Sequence, residues 1–372
     1  MKKKYIILSI ITLVLLITFV TSFNYFKTSN TYVENNSNNQ TKITKGISMN
    51  LEQTAGAGDY KQVTQSSWPT EGYKFNAELS KCENGGEISW DDTKKAVIVS
   101  GNLSDKCYVY FDIYQLTLAE YIKSQYTGTQ GDNALYYHNS TLTNGAGDNS
   151  YRYAGASDSV NNYICLGSDA TTCPEANLFR IIGVFGAQTK VIRAKSVGDK
   201  QWHTSPNNTW SSSSLNTYLN GEYLTSLGTI AEKIATTTWK VGGRSSTYLY
   251  DVPTTAYQYE VGSSASTTTY DAKIGLMYVS DYGFAADQSG WTTKLGSYGS
   301  NSSKNWLYLG SFEWTISCDS DRTYGAFSVN SAGHVDGSGV GSSIGVRPSF
   351  NLESSVKYVS GSGSMSDPVR VN

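Results

Sequence analysis

Apolar positions along this chain recur mostly at every second residue or in short runs, which is strand spacing; the three-to-four spacing of helices is rare. Alternation in "KAVIVSG" and "CYVYFDIY", with turn residues at Asn84-Gly85-Gly86 and Asp91-Asp92, predicts four short strands. They fall near 72–80, 86–90, 94–100 and 106–113 and make a small antiparallel unit. In "LTLAEYIKSQYTG" the pattern changes: Leu116, Ala119, Ile122 and Tyr126 fall near helical spacing, and Thr117 followed by Glu120 fits a capping box. A short helix is predicted there. Residues 127–160 are rich in Gly, Asn and Asp and read as loop, with His138 a surface polar residue.

From about Asn161 the pattern supports a larger unit. "NYICLGS", "NLFRIIGVFG" and "TKVIRAKSV" read as consecutive strands, the last two joined by a tight turn at Gly186 to Thr189. "SSSSLNTYLNGEYLTSL" places Leu215, Tyr218, Leu219 and Leu227 along one side of a serine-capped helix. Further on, "AKIGLMYVSDYG" reads as a buried strand, "NWLYLGSFEWTISC" as an aromatic segment, "YGAFSVNSAGHVDGSGV" as a hairpin and "IGVRPSFNL" as a closing strand. Two helices at most against many strands predicts an α+β fold.

The first 23 residues differ in kind. Lys2, Lys3 and Lys4 precede an uncharged apolar run from Tyr5 to Val20, a membrane-targeting pattern that leaves the rest of the chain outside. It reads as a retained N-terminal anchor, although Val20-Thr21-Ser22 would serve as a cleavage site for a secreted form. The organisation expected is a signal or anchor helix over 1–23, a polar flexible spacer over 24–59 and a small disulfide-closed β module over 60–115. A linking helix and loop over 116–160 then lead to the larger α+β domain over 161–372.

Composition narrows the class. Only 16% of residues are charged and the formal net charge is −2, which argues against nucleic acid or a polybasic lipid surface as partner. Polarity comes from Ser, Thr, Asn and 35 glycines, and apolar bulk from 28 tyrosines and 8 tryptophans, a mixture suited to a turn-rich extracellular β protein. Cys82 with Cys107 and Cys165 with Cys173 are close enough in sequence to close local loops outside a reducing cytoplasm. Cys318 is left over and reads as a small buried hydrophobe. No pair of cysteines has a second close Cys or His, so neither zinc nor any cofactor is called for.

Several of these segments, "NNYICLGSDATTCPEANLFRIIGVF", "SSSLNTYLN", "AKIGLMYVSDYGFA", "NWLYLGSFEWTIS" and "IGVRPSFNL", resemble a family of uncharacterised, signal-bearing surface proteins of anaerobic Gram-positive bacteria. "CENGGEISWDDTKKAVIV" with "DKCYVYFD" resembles a module that precedes it. The late Trp segment, hairpin and closing Gly-x-Arg strand are distantly similar to the C-type-lectin-like fold, including formylglycine-generating-type domains. That resemblance implies that "IGVRPSFNL" pairs beside "NLFRIIGVF", and that Arg347 is a structural arginine matched by Asp281 or Glu313.

Catalytic patterns are incomplete. Ser343 sits in a Gly-x-Ser-x-Gly string, but Pro348 would break the helix a nucleophile elbow needs and the last histidine, His334, precedes the serine. Formylglycine-generating enzymes use two late cysteines, whereas Cys318 stands alone, leaving a dyad with His203 or His334 as the remaining nucleophilic arrangement. "DSDRTYG" has Tyr324 and Asn330 where a calcium loop needs glycine and glutamate, so it reads as a solvated turn.

What remains is a ligand surface of late aromatics and loop polars: Trp291, Trp306, Tyr308 and Trp314 with Asp319, Asp321, Arg322, Tyr324 and His334. Aromatic faces of this kind stack on sugar rings or anchor protein interfaces. The sequence therefore predicts a non-enzymatic cell-surface protein, bound to the membrane through its N-terminal helix, that presents a lectin-like domain to a glycan or protein ligand. An extracellular enzyme with a degenerate formylglycine-type pocket and a purely structural envelope protein are the alternatives.

Overall fold

The computed structural model describes residues 46–64, 67–69, 72–101, 105–245 and 251–372. The expected targeting segment over 1–23 and the first part of the spacer lie outside them. Two compact units divide between Gln115 and Leu116.

In the first unit, β1 (Gly46–Glu52), β2 (Tyr60–Val63), β3 (Tyr73–Cys82) and β6 (Lys106–Ile113) form one sheet in the order β2-β1-β6-β3. β4 (Glu87–Asp91) and β5 (Ala96–Ser100) form a separate hairpin. Two expectations are corrected here. Residues 46–52 are a strand and not spacer, and because β1 runs parallel to β6 the sheet is mixed and not antiparallel. The reason is visible in β1 itself, whose Met49 and Leu51 are buried with Val109 and Phe111 and pack against Trp68, Phe75 and Trp90. Cys82 stands directly opposite Cys107 across β3 and β6, and the two form a disulfide.

The second unit begins with α1 (Leu118–Ser124), whose Thr117 cap and Glu120 satisfy each other's backbone N–H groups as a capping box. Its buried face, Leu118, Ala119 and Ile122, belongs to the main hydrophobic cluster, so the segment expected to link two domains is instead an integral part of this one. The following loop contributes β7 (Leu135–Tyr137) and β8 (Tyr151–Tyr153), which pair with each other. After them come β9 (Tyr163–Cys165), β10 (Leu178–Phe185), β11 (Gln188–Arg193) and β12 (Asp199–Gln201). β10 and β11 make the expected hairpin, turning at Gly186 with φ 65°, a conformation that glycine reaches without a Cβ clash.

The serine-capped helix is broken into α2 (Ser214–Tyr218), a π-helical turn at Leu219–Tyr223 and α3 (Leu224–Ser226), with Ser213 as the cap. Next are β13 (Thr237–Lys240), α4 (Pro253–Glu260), β14 (Thr269–Ala272), β15 (Ile274–Gly275) and α5 (Val279–Phe284). Here the expected long buried strand is a two-residue strand followed by a helix, since Tyr278 caps a turn whose Asp281 returns to its backbone N–H. Helices therefore exceed the two expected, yet the class stays α+β with strands dominant.

The chain closes through β16 (Glu313–Cys318), β17 (Gly325–Val329), β18 (Val335–Gly339), β19 (Ser343–Gly345), β20 (Ser349–Leu352), β21 (Tyr358–Ser360) and β22 (Val369–Val371). A nine-stranded sheet follows the path β15-β20-β11-β10-β9-β22-β21, with β7 and β8 attached, and a five-stranded one the order β12-β19-β16-β17-β18. "IGVRPSFNL" is split between them, because Pro348 has no N–H to continue a ladder. Its second half, β20, pairs with β11 and not with β10, so the expected neighbour lies one strand further in. β22, three residues near the end of the chain, runs parallel beside β9. One hydrophobic cluster joins both sheets and includes Ile181, Val191, Phe350, Ile316 and Phe327.

Candidate functional site

The expected aromatic surface does not form. Trp291, Trp306 and Trp314 are core residues, and each indole N–H donates to a backbone carbonyl, of Ala286, Tyr153 and Lys200 respectively. Large flat side chains with one satisfied donor fill a β-rich core as readily as they cover a surface, and the sequence pattern is the same for both. Tyr308 is half-buried with its hydroxyl on the Ser331 carbonyl, and His334 receives the Gly299 N–H on Nδ1. Asp319 is buried and accepts from Arg322 Nε at 2.8 Å and from the Asp321 N–H, so these residues build their own turn. Tyr324 alone of the late aromatics is well exposed, at 55%.

The nucleophilic arrangements also resolve. Cys318 is buried, its thiol directed to the Val241 carbonyl at 3.5 Å, and burial pushes that thiol up to about 11. His203 is engaged elsewhere, with Nδ1 accepting the Ser214 N–H. Ser343 opens a three-residue strand and has no helix behind it. Cys165 and Cys173 are joined as expected, so both anticipated disulfides are present, as in proteins that fold outside the reducing cytoplasm.

A different site emerges where β8, β10, β11, β13, α4, α5 and β20 meet: a cavity of about 250 Å³. Its aromatic walls are Phe185, Trp239, Tyr257 and Tyr278, and Thr237, Thr238 and Asn351 add short polar groups. β13 is fastened to this wall through Tyr278, whose hydroxyl accepts the Lys240 N–H and donates to the Lys240 carbonyl. Gly275 lies flat against the Trp239 ring, where an added Cβ would come within 2.8 Å of it. Any larger residue there would clash with the ring.

Charge is concentrated at its base. Lys190 Nζ lies 2.5 Å from Asp281 Oδ2, and Arg152 reaches Asp281 Oδ1 at 3.6 Å and Asp148 Oδ2 at 2.7 Å. Both cations also sit on aromatic faces: Arg152 over Phe185 and Phe284 at 4.6 and 5.1 Å, Lys190 over Tyr278 at 4.6 Å. Burial lowers the Lys190 ammonium from the usual lysine range, with Asp281 opposing it. Burial alone would raise the Asp148 carboxyl, but Arg152 and Ser150 outweigh it and hold it at about 2. Tyr257 is pushed up to about 12 by burial and by Asp148. Behind the cavity, Glu260 accepts the Val279 and Ser280 N–H groups and the Ser317 hydroxyl, anchoring the start of α5.

His138, expected at the surface, is fully buried beside this network and packs on Phe284 and Trp291. Its Nδ1 accepts the Ala146 N–H, which places the ring proton on Nε2, and Nε2 has no hydrogen-bond partner among the described residues. Burial holds the imidazole well below its usual pKa, and Arg152 adds to the effect.

Of the cavity residues the sequence reading named only Asp281, as a candidate partner of Arg347, because the cavity draws on seven separated elements. The one available signal was Lys190 beside Val191 and Ile192 in a strand whose middle four residues are all buried. Residues 187–354 match a family model described as a domain of unknown function, DUF6273. That span contains Lys190, β13, α4, α5 and Asn351, whereas Asp148, Arg152 and Phe185 precede it. No curated protein and no solved structure matches the chain.

Proposed function

We propose that this is a non-enzymatic protein of the cell surface whose second unit, built on C-type-lectin-like lines, recognises a glycan in the cavity walled by Trp239, Tyr257 and Tyr278. The N-terminal apolar segment would hold it on the membrane, or release it as a secreted form if cut. The observation that carries the reading is the pairing of aromatic walls with short hydroxyl and amide groups in one opening. Sugars present apolar C–H faces and a rim of hydroxyls, and that combination answers both. A volume of about 250 Å³ is below the ~300–1,000 Å³ of drug-sized sites and suits one ring at the end of a chain. Asn351 supports the same reading. Its Nδ2 donates to Thr237 Oγ1 at 3.0 Å, while its buried Oδ1 has no partner among the described residues and calls for a donor from a ligand.

A glycan array probed with the full chain tests this. Saturable binding that Tyr257→Ser weakens at least tenfold, with the melting profile retained, is the expected result. Absence of binding to every glycan presented would overturn it.

A further inference from the structure

We propose that Lys190 and Asp281 condense into an amide bond inside the folded second unit, a covalent modification that ties α5 to β11 and needs no ligand in the cavity. Nζ of Lys190 lies 2.5 Å from Asp281 Oδ2, with the two side chains only 6% and 3% exposed. A carboxyl oxygen that close puts its carbon near the ~3–3.5 Å separation of a reacting pair. Around the nitrogen stand the rings of Tyr278, Trp239 and Phe185, at 4.6, 5.3 and 5.9 Å. Burial lowers this ammonium from the usual lysine range. Loss of one proton there leaves the neutral amine, which is the nucleophilic form.

One proton passes along the hydrogen bond from Nζ to Oδ2, leaving a neutral amine beside a neutral acid. The amine lone pair attacks Cγ, and the negative charge that develops on Oδ1 faces the Arg152 guanidinium at 3.6 Å. Oδ2, which the Tyr278 N–H also holds at 2.8 Å, takes a second proton from the nitrogen and departs as water. One C–N bond forms, one C–O bond breaks, and nothing is oxidised or reduced. The cavity that both residues line receives the water. In open solvent the hydrated ion pair is the favoured state. Away from water the two charges lose that hydration, which moves the balance toward the neutral amide. The remaining charges still match, because Lys190 and Asp281 are neutralised together and Arg152 keeps its 2.7 Å contact with Asp148.

Peptide mass mapping tests this on the full chain, folded with both disulfides formed and held at neutral pH until its mass is constant, then denatured, reduced and digested. The expected result is a linked pair of peptides carrying Lys190 and Asp281, lighter than the two separate peptides by one water. Trypsin should also fail to cut after Lys190. Lys190→Arg keeps the positive charge and should return the two peptides unlinked and at full mass. Free Lys190 and Asp281 peptides from the disulfide-bonded parent would overturn the proposal. So would a link lighter by one ammonia, since that loss places the bond on Asn351, which faces Lys190 across the β11–β20 ladder.

Discussion

Arg347 and Glu313 meet inside the second unit with Nε 2.6 Å from Oε1, each side chain about 1% exposed. A second contact from Nη2 to Oε2 at 2.9 Å completes a two-pronged pair, and Nη2 also donates to the Leu307 carbonyl. Glu313 belongs to β16, and Arg347 lies in the break between β19 and β20, so the pair locks the point where the chain passes from one sheet to the other. Removing one member strands a buried charge, which costs about 3–5 kcal/mol. Glu313→Ala is therefore expected to lower unfolding free energy by that amount in urea titrations. The double replacement Glu313→Met with Arg347→Met should recover part of the loss, because no charge is then left alone.

Asp148 gives the fold a defined acid dependence. Its folded carboxyl is held at about 2 against an ordinary 3.8, so its contribution is complete above the ordinary value and is lost as pH falls toward the folded one. The shift corresponds to about 2 kcal/mol. Asp148→Asn should reduce stability at neutral pH and flatten the wild-type decline between about pH 4 and pH 2. Urea midpoints measured across that window read both effects.

How much of this was legible in the sequence depended on whether the deciding contacts were local. The Thr117 capping box and the β10–β11 and β17–β18 hairpins rest on residues a few positions apart, and all three formed as read. Arg347 could be assigned a carboxylate partner with two candidates, and folding chose Glu313 while Asp281 went to Lys190 and Arg152. β1 was missed because the buried partners of Met49 and Leu51, Val109 and Phe111 on β6, lie far along the chain. The cavity was missed for the same reason: Arg152, Lys190, Lys240, Tyr257 and Asn351 become neighbours only after both sheets and α4 have assembled.

Cys82 and Cys107 close a loop with a sequence separation of 25 in the first unit. Cross-linking such a loop removes about 3 kcal/mol of unfolded-chain entropy on the loop-length model. Its small core, a cluster of four buried apolar side chains with a partly buried rim, has little reserve. Replacing both cysteines by serine should unfold this unit at a temperature where the second unit persists. Hydrogen exchange at β3 and β6 read against β10 and β11 would separate the two transitions, and coincident unchanged transitions would contradict the prediction.

Around the second disulfide, Arg370 on β22 donates to the carbonyls of Ser168, Ala170 and Thr171 inside the Cys165–Cys173 loop. β22 pairs with β9 through Val369 and Arg370 and with β21 through Arg370 and Val371, and the guanidinium adds a further tie at the end of the chain. Arg370→Ala is expected to raise hydrogen exchange at β21 and β22 while leaving β10 and β11 protected, because charged hydrogen bonds of this kind contribute about 1.5–3 kcal/mol.

His138 supplies a pH dependence of opposite origin to a surface histidine. Burial and Arg152 hold its folded pKa well below 6.5, so the folded state keeps the imidazole neutral while the unfolded chain takes up a proton. Stability is then full above about pH 6.5 and falls as pH drops toward the folded value, by up to about 1.4 kcal/mol per pH unit. His138→Asn retains an acceptor for the Ala146 N–H and removes the titration. Comparing urea midpoints of the variant and the parent between pH 7.5 and about pH 5 isolates the effect, since Asp148 does not titrate in that interval. A variant whose midpoint stays level where the parent's declines is the expected outcome, and parallel declines would place the imidazole in water instead.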